Sequence, residues 1–307
     1  MSEYNILWSI FVIMAVILFS LDFKLSAAKP HEITLKESLI MCMMWISFAM
    51  IYGILIWHYL GASKFAEYLT AYVVEYSLSI DNMFVFLMIF SYFGVEKKYQ
   101  PKVLVIGILS AVIMRMFFIF VGVEAVKRFS WLLYIFAVIL IYSGFKMFSD
   151  KVDKIELDRN LIFRFINKKY IPIDMDIKNG GFWVIKNGRI VFTSLLAVLA
   201  VIETTDLVFA VDSIPAVLSI SRDRLVVYSS NIFAVIGLRS LYFSLAALND
   251  YFRYLKQGVS VVLIYIGLKM LLSKFVHIQP FTSLIIVLTI LLFSMIISVI
   301  KKIDYNG

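Results

Sequence analysis

Cysteine, histidine and proline are scarce in this sequence: one, three and five among 307 residues. The lone Cys42 excludes an internal disulfide, and it lies in an apolar run, where a cysteine packs as a small apolar residue. His31, His58 and His277 sit near the ends of apolar segments, without the spacing of a metal cluster. There is no histidine zinc motif and no Gly-x-Ser-x-Gly elbow, so the chain is not expected to be an enzyme. Charge is sparse as well. Asp, Glu, Lys and Arg make up 16% of the residues, against about 25% in an ordinary soluble domain.

Hydrocarbon fills the space. The chain is 62% hydrophobic with a mean hydropathy of +0.92. A helix needs about 20 apolar residues to cross a bilayer core, and runs of that kind cover most of the sequence. We expect an all-α polytopic membrane protein with about nine transmembrane helices, near 5–21, 38–59, 68–93, 103–123, 130–148, 190–218, 225–248, 257–272 and 280–300. No Lys or Arg precedes the first run, so it reads as a retained helix and not a signal peptide. The organisation expected is two N-terminal helices (1–64), a three-helix unit (65–148), a polar loop (149–189), a second three-helix unit (190–274), and a last helix with its tail (275–307). The loop is broken by Pro172 and Gly180-Gly181 and is too short for its own core. It has room for a short amphipathic helix or a hairpin around Phe182–Ile190.

The net charge of +8 reflects orientation, not nucleic-acid binding. Connections after odd-numbered spans hold 19 basic residues, and those on the other side hold 6. Without the long loop the ratio is 10 to 6, in the same direction. Basic loops stay cytoplasmic, which predicts an outside N-terminus and a cytoplasmic C-terminus in the cytoplasmic (inner) membrane.

Two acidic stretches interrupt the apolar runs: Glu75-Tyr-Ser-Leu-Ser-Ile-Asp81-Asn82 and Asp206-Leu-Val-Phe-Ala-Val-Asp212-Ser213. Glu203 precedes the second and Pro215 follows it. Glu75 and Asp206, like Asp81 and Asp212, are 131 residues apart. Ionisable groups in hydrocarbon are costly and rare, so each is a functional hypothesis. Arg115 in Ala-Val-Ile-Met-Arg matches Arg239 in Ala-Val-Ile-Gly-Leu-Arg. Likewise Leu140-Ile-Tyr-Ser-Gly-Phe-Lys146 matches Leu263-Ile-Tyr-Ile-Gly-Leu-Lys269. The two three-helix units therefore read as diverged copies. Starting three spans apart, they cross in opposite directions, the inverted repeat of transporters that bind substrate near midplane.

The acids Glu75, Asp81, Glu203, Asp206 and Asp212, the amide of Asn82 and the hydroxyls of Ser79, Thr204, Thr205 and Ser213 form an oxygen-only set. Such donors suit Mg, Ca or Mn in preference to zinc or copper. Five acids exceed the charge of one divalent ion, so proton exchange for metal is the natural mechanism. On a continuous helix Glu75 and Asp81 would diverge by about 240°. Pro215 and the poor helix formers around Asp81 suggest local unwinding, which would free carbonyls for a cation. Taken singly, a buried Asp is as well explained as a hydrogen bonder between helices. Arg115 and Arg239 read as counter-ions to the acids, in charge balance or gating. Lys146 and Lys269 lie near span ends, where snorkelling is the simpler account.

The block Glu203-Thr-Thr-Asp206-Leu-Val-Phe-Ala-Val-Asp212-Ser-Ile-Pro215, followed by Ser230-Asn-Ile-Phe-Ala-Val-Ile-Gly-Leu-Arg239, resembles the hallmark of the TerC family of integral membrane proteins. Glu75 to Asn82 resembles that family's first acidic motif, and Arg115 its following arginine. The likeness covers about 38–300. It departs at Thr193-Ser194, where Thr-Pro is common, and at Pro101, which puts helix-start geometry in question. The family is associated with tellurium resistance and manganese export within a LysE-like transporter group. The resemblance implies that Glu75, Asp81, Asn82, Glu203, Asp206, Asp212 and Ser213 build a metal pathway. The expected function is export of a divalent cation, Mn2+ foremost, by proton exchange. The cation is substrate, no permanent cofactor is expected, and the expected partners are the bilayer, the cation and protons, with no nucleic acid. Homo-oligomers or membrane-protein partners are left open. The alternative is a membrane-assembly or tellurium-resistance complex organiser that docks partners through 149–189. Export of an anion fits poorly, since its site would want a positive lining.

Overall fold

The computed structural model describes residues 3–27, 33–129, 131–149, 173–174, 181–186, 189–248, 255–273, 275–276 and 278–306; among these, the side chains of Asp81 and Asp212 lie outside the description. Five helices precede the long loop: α1 (Glu3–Ala27), α2 (Leu35–Leu60), α3 (Ala62–Tyr92), α4 (Gln100–Arg128) and α5 (Leu132–Ser149). In the loop the described residues form three strands, β1 (Ile173–Asp174), β2 (Trp183–Lys186) and β3 (Arg189–Thr193). Then come α6 (Ser194–Ile220), α7 (Arg224–Ile236), α8 (Leu238–Leu248), α9 (Leu255–Leu271) and α10 (Pro280–Asn306). Every expected span is a helical rod, and the seventh is bent by 49° between α7 and α8. By length and apolarity alone α1, α2, α3, α4 and α10 can cross a membrane, and the bent pair makes a sixth.

Local signals set the helix ends. Thr34 caps α2, its Oγ1 accepting from the Glu37 N–H at 3.3 Å. Gly61, at φ 88°, lets the chain turn from α2 into α3 in one residue. Asp223 caps α7, accepting from the Leu225 N–H at 3.0 Å. Pro101 falls in the first turn of α4, where its missing N–H has no helical partner to lose. The expected hairpin is present: β2 pairs antiparallel with β3, and β1 adds in parallel on the other side of β3. Thr193 does not cap α6 with its side chain. Its hydroxyl donates instead to the Gly181 carbonyl at 2.7 Å, tying the hairpin to the start of the helix. Phe182 is buried beneath the Lys102 ammonium, 5.2 Å above its ring. The amphipathic-helix alternative falls mainly on residues outside the description.

The rods alternate in direction. At one end Tyr4 donates to Asp223 at 2.8 Å, Lys64 pairs with Glu67 at 2.8 Å, Ser221 donates to Glu67 at 2.6 Å, and Arg224 pairs with Glu124. At the other end Ser244 bonds Ser38 at 3.1 Å and Tyr242 donates to Gln100 at 3.0 Å. The outer faces are apolar, with Ile13, Met43, Ile113 and Phe293 all more than half exposed. The buried interior holds the charged groups, an arrangement suited to hydrocarbon outside.

Packing interlocks the two three-helix units. The middle rod of each lies on the first helix of the other: α4 on α6, and α7 on α3. Their third helices, α5 and α9, cross at glycines. A Cβ on Gly144 would lie 2.8 Å from the Ser260 carbonyl oxygen and 2.6 Å from Ile264 Cγ1. One on Gly267 would lie 2.8 Å from the Ala137 carbonyl oxygen and 2.7 Å from Ile141 Cγ1. Each of these three residue pairs (Gly144 with Gly267, Ala137 with Ser260, Ile141 with Ile264) is separated by 123 residues, the offset of the sequence match. The crossing is thus related to itself by exchange of the two halves.

Candidate functional site

Glu75, Arg115 and Asp206 each stand within two residues of the midpoint of α3, α4 and α6 respectively. They converge. Arg115 forms an ion pair with Glu75, and its Nη2 donates to Asp206 Oδ1 at 3.4 Å. Glu75 is 0% exposed, Arg115 1% and Asp206 4%. Charges buried this far from water persist only when compensated. The guanidinium therefore holds together one acid from each half of the chain.

The third acid, Glu203, is only partly buried and lies one turn before Asp206 on α6. The Ser110 hydroxyl of α4 donates to its Oε1, with the Gly107 carbonyl at 2.9 Å as an alternative acceptor. Gly107 lies beside this contact: a Cβ there would be 3.7 Å from Glu203 Oε1, at ordinary packing distance. Beside these groups is a cavity of about 10 Å³, at the lower limit for one water. Asp206 lines it, with Gly107, Ala111, Phe86 and Leu238 among its walls.

Helical spacing places further oxygens on the same faces. On α3, Glu75, Ser79 and Asn82 follow at i, i+4 and i+7; on α6, Asp206 and Ser213 are seven apart. Asn82 is buried at 5% exposure. The hydroxyls of Ser79 and Ser213, one carboxylate oxygen of Glu75 (Oε2) and both amide atoms of Asn231 are buried without a hydrogen-bond partner. Buried polar atoms of this kind are rare and need a reason. Thr204 and Thr205 differ. Their hydroxyls donate back to Ala200 and Val201 of their own helix, both at 2.7 Å.

Three expectations need comment. The acidic stretches are not unwound: α3 runs unbroken through Glu75–Asn82, and α6 runs unbroken through Pro215. One missing amide does not break a helix whose remaining backbone bonds have no water to replace them. On unbroken helices the positions 75 and 81 are about 120° apart around α3, and positions 203 and 212 about 180° apart around α6. The side chains of Asp81 and Asp212 lie outside the described residues. Second, the acid that Arg239 pairs with among the described residues lies outside the acidic stretches. Arg239 bonds Asp22 of α1, at 2.8 Å from Nη2 and 3.2 Å from Nε, because the rod bends just before it. Third, Lys146 is exposed in the last turn of α5 and Lys269 is half-buried in the last turn of α9, both away from the helix midpoints.

Among the described residues no group of three His, Cys, Asp or Glu side chains stands close enough to hold a metal ion. What the described groups do form is an acidic centre already occupied by an internal cation, Arg115. Sequence reasoning missed Ser110 and Asp22. Asp22 lies just beyond the expected first span, 5–21, where an acid is ordinary; Ser110 carries no signal beyond being a hydroxyl in hydrocarbon.

The chain matches the integral membrane protein TerC family over residues 60–305. It is 38% identical to an uncharacterized membrane protein of Rickettsia felis over 96% of this chain and 98% of that one. It is 37% identical to an uncharacterized membrane protein of Myxococcus xanthus, covering 96% and 92%. It is also 36% identical to Alx of Escherichia coli, described as a candidate membrane-bound redox modulator, covering 95% and 94%. No solved structure matches it.

Proposed function

The chain belongs to the TerC family of integral membrane proteins, and from that premise we propose that it exports a divalent metal cation, Mn2+ foremost, in exchange for protons. The observation that carries this reading is the meeting of Glu75 and Asp206, one from each half of the chain, on one buried arginine at the helix midpoints. Charge bookkeeping supports the exchange. Glu75, Asp206 and Glu203 against Arg115 leave a surplus of two negative charges when all are ionised, which one divalent ion or two protons would cancel. A site that swaps one for the other stays neutral in a medium where net charge is costly.

In this reading the chain crosses the cytoplasmic membrane nine times, with its N-terminus outside and its C-terminus in the cytoplasm. The two halves are inverted repeats. The α5–α9 glycine crossing supports that arrangement, since its contacts are preserved when the halves are exchanged. Oxygen donors favour a hard cation, and the unpartnered Ser79, Ser213 and Glu75 oxygens are the groups that would coordinate it, joined by Asn82, Asp81 and Asp212 as the helices rotate. Cells carrying D206N or D81N at wild-type protein level should accumulate manganese; normal manganese content in both would overturn the reading.

A second reading keeps the acids structural and makes the polar loop a docking surface. The exposed aromatic pair Trp183 and Phe192, register partners on the hairpin, favours it. Deleting 150–185 would then abolish function while D206N would not. The redox description of Alx does not extend to thiol chemistry here, because a single cysteine gives no dithiol.

A further inference from the structure

The two buried arginines are counterparts in sequence and are held differently. Ala111-Val-Ile-Met-Arg115 and Ala234-Val-Ile-Gly-Leu-Arg239 differ by one residue inserted before the arginine. An insertion turns everything after it by about 100° around a helix. The rod responds by breaking: α7 ends at Ile236, α8 starts at Leu238, and their axes differ by 49°. Arg115, without the insertion, faces the central acids. Arg239, with it, is 1% exposed and grips Asp22, itself 5% exposed, with two nitrogens. Asp22 lies on α1, outside both three-helix units, and has no counterpart in either.

Arg239 is nonetheless next to the centre. Its neighbour Leu238 lines the small cavity beside Asp206. If the halves exchange conformations, the acids that would hold Arg239 are Asp206 and Glu75, the pair that now holds Arg115. We propose, on the transporter reading above, that Asp22 is the resting acid of a mobile arginine gate. Arg239 leaves Asp22, pivots at Gly237 and joins the central acids in the opposite-facing state. Arg115 has no counterpart of Asp22 to move to and stays on Glu75 and Asp206, so the arrival of Arg239 cuts their surplus of negative charge from two to one and a divalent cation held there is released. Asp22 is thus a positioning residue: it sets how long Arg239 stays away.

The test uses the full chain in proteoliposomes with Cys42→Ser and a single reporter cysteine at Ala111, which lines the cavity. D22N should change the rate at which a membrane-impermeant maleimide labels Ala111→Cys from one face by about tenfold, and should weaken Mn2+ binding by a similar factor. The double variant D22N/R239Q, which removes both charges of the pair, should regain Mn2+ binding but not turnover. Were the pair only structural, the double variant would regain both; that result, or unchanged labelling in D22N, overturns the gate. If D22N does not fold, the split between binding and turnover in the double variant decides alone. If the wild-type protein moves no divalent cation yet D22N shifts the labelling, the cargo is wrong and the gate stands.

Discussion

Removing Arg115 should cost the protein far more than removing either acid it holds. Glu75 is fully buried, and its Oε2 has no hydrogen-bond partner, so the guanidinium is what compensates its charge. R115Q strands two carboxylates, Glu75 and Asp206, in the interior. Stranding one partner of a buried pair costs about 3–5 kcal/mol, and we expect R115Q to fall in that range. E75Q leaves Arg115 balanced by Asp206 alone and should cost less. E75Q/R115Q still leaves Asp206 without its arginine and should recover about half of the loss, with a coupling of at least about 2 kcal/mol across the double-mutant cycle. The assay is reversible unfolding of the four purified proteins in mixed micelles. A cost within about 1 kcal/mol for R115Q, or a cycle that closes additively, would refute the buried compensation described above.

Other perturbations reach other parts of the account. G144A should destabilise by the 1–3 kcal/mol typical of overpacking, towards the upper end because the opposing atom is the Ser260 carbonyl; together with G267A it should cost less than the sum, since both act at one crossing, and independent costs would contradict that geometry. S110A removes a donor to Glu203 and should slow Mn2+ transport by about tenfold, the worth of one hydrogen bond to a charged group, without a matching loss of thermal stability; an unchanged rate would show that Glu203 is not engaged. P215A should leave transport intact, because α6 already runs through Pro215 unbroken; loss of transport with the fold retained would make that proline a hinge after all.

Much of this fold could be read from hydrophobicity. The length of apolar runs is set by bilayer thickness, so all nine expected segments are helical, and the cluster of turn formers near Gly181 marks the hairpin. The site was legible in part. Glu75, Asp206 and Arg115 stood out because charge in hydrocarbon is rare, and they meet. Which acid pairs with which arginine was not legible, since it depends on a one-residue insertion whose effect is three-dimensional: Gly237 breaks the rod and sends Arg239 to Asp22. Unwinding at the acidic stretches was expected from propensity and from Pro215, but propensities measured in water understate how strongly hydrocarbon enforces backbone bonding. Ser110 could not have been singled out, because its role exists only through the packing of α4 on α6.

The most direct test of the central claim is Mn2+ movement by the purified protein in liposomes, followed together with internal pH. Wild-type protein should carry Mn2+ against a counterflow of protons, about two per ion from the charge surplus, Ca2+ and Mg2+ should compete, and E75Q and D206N should abolish the flux. Liposomes that show no proton-coupled metal flux, or the same flux with both acids neutralised, would contradict it.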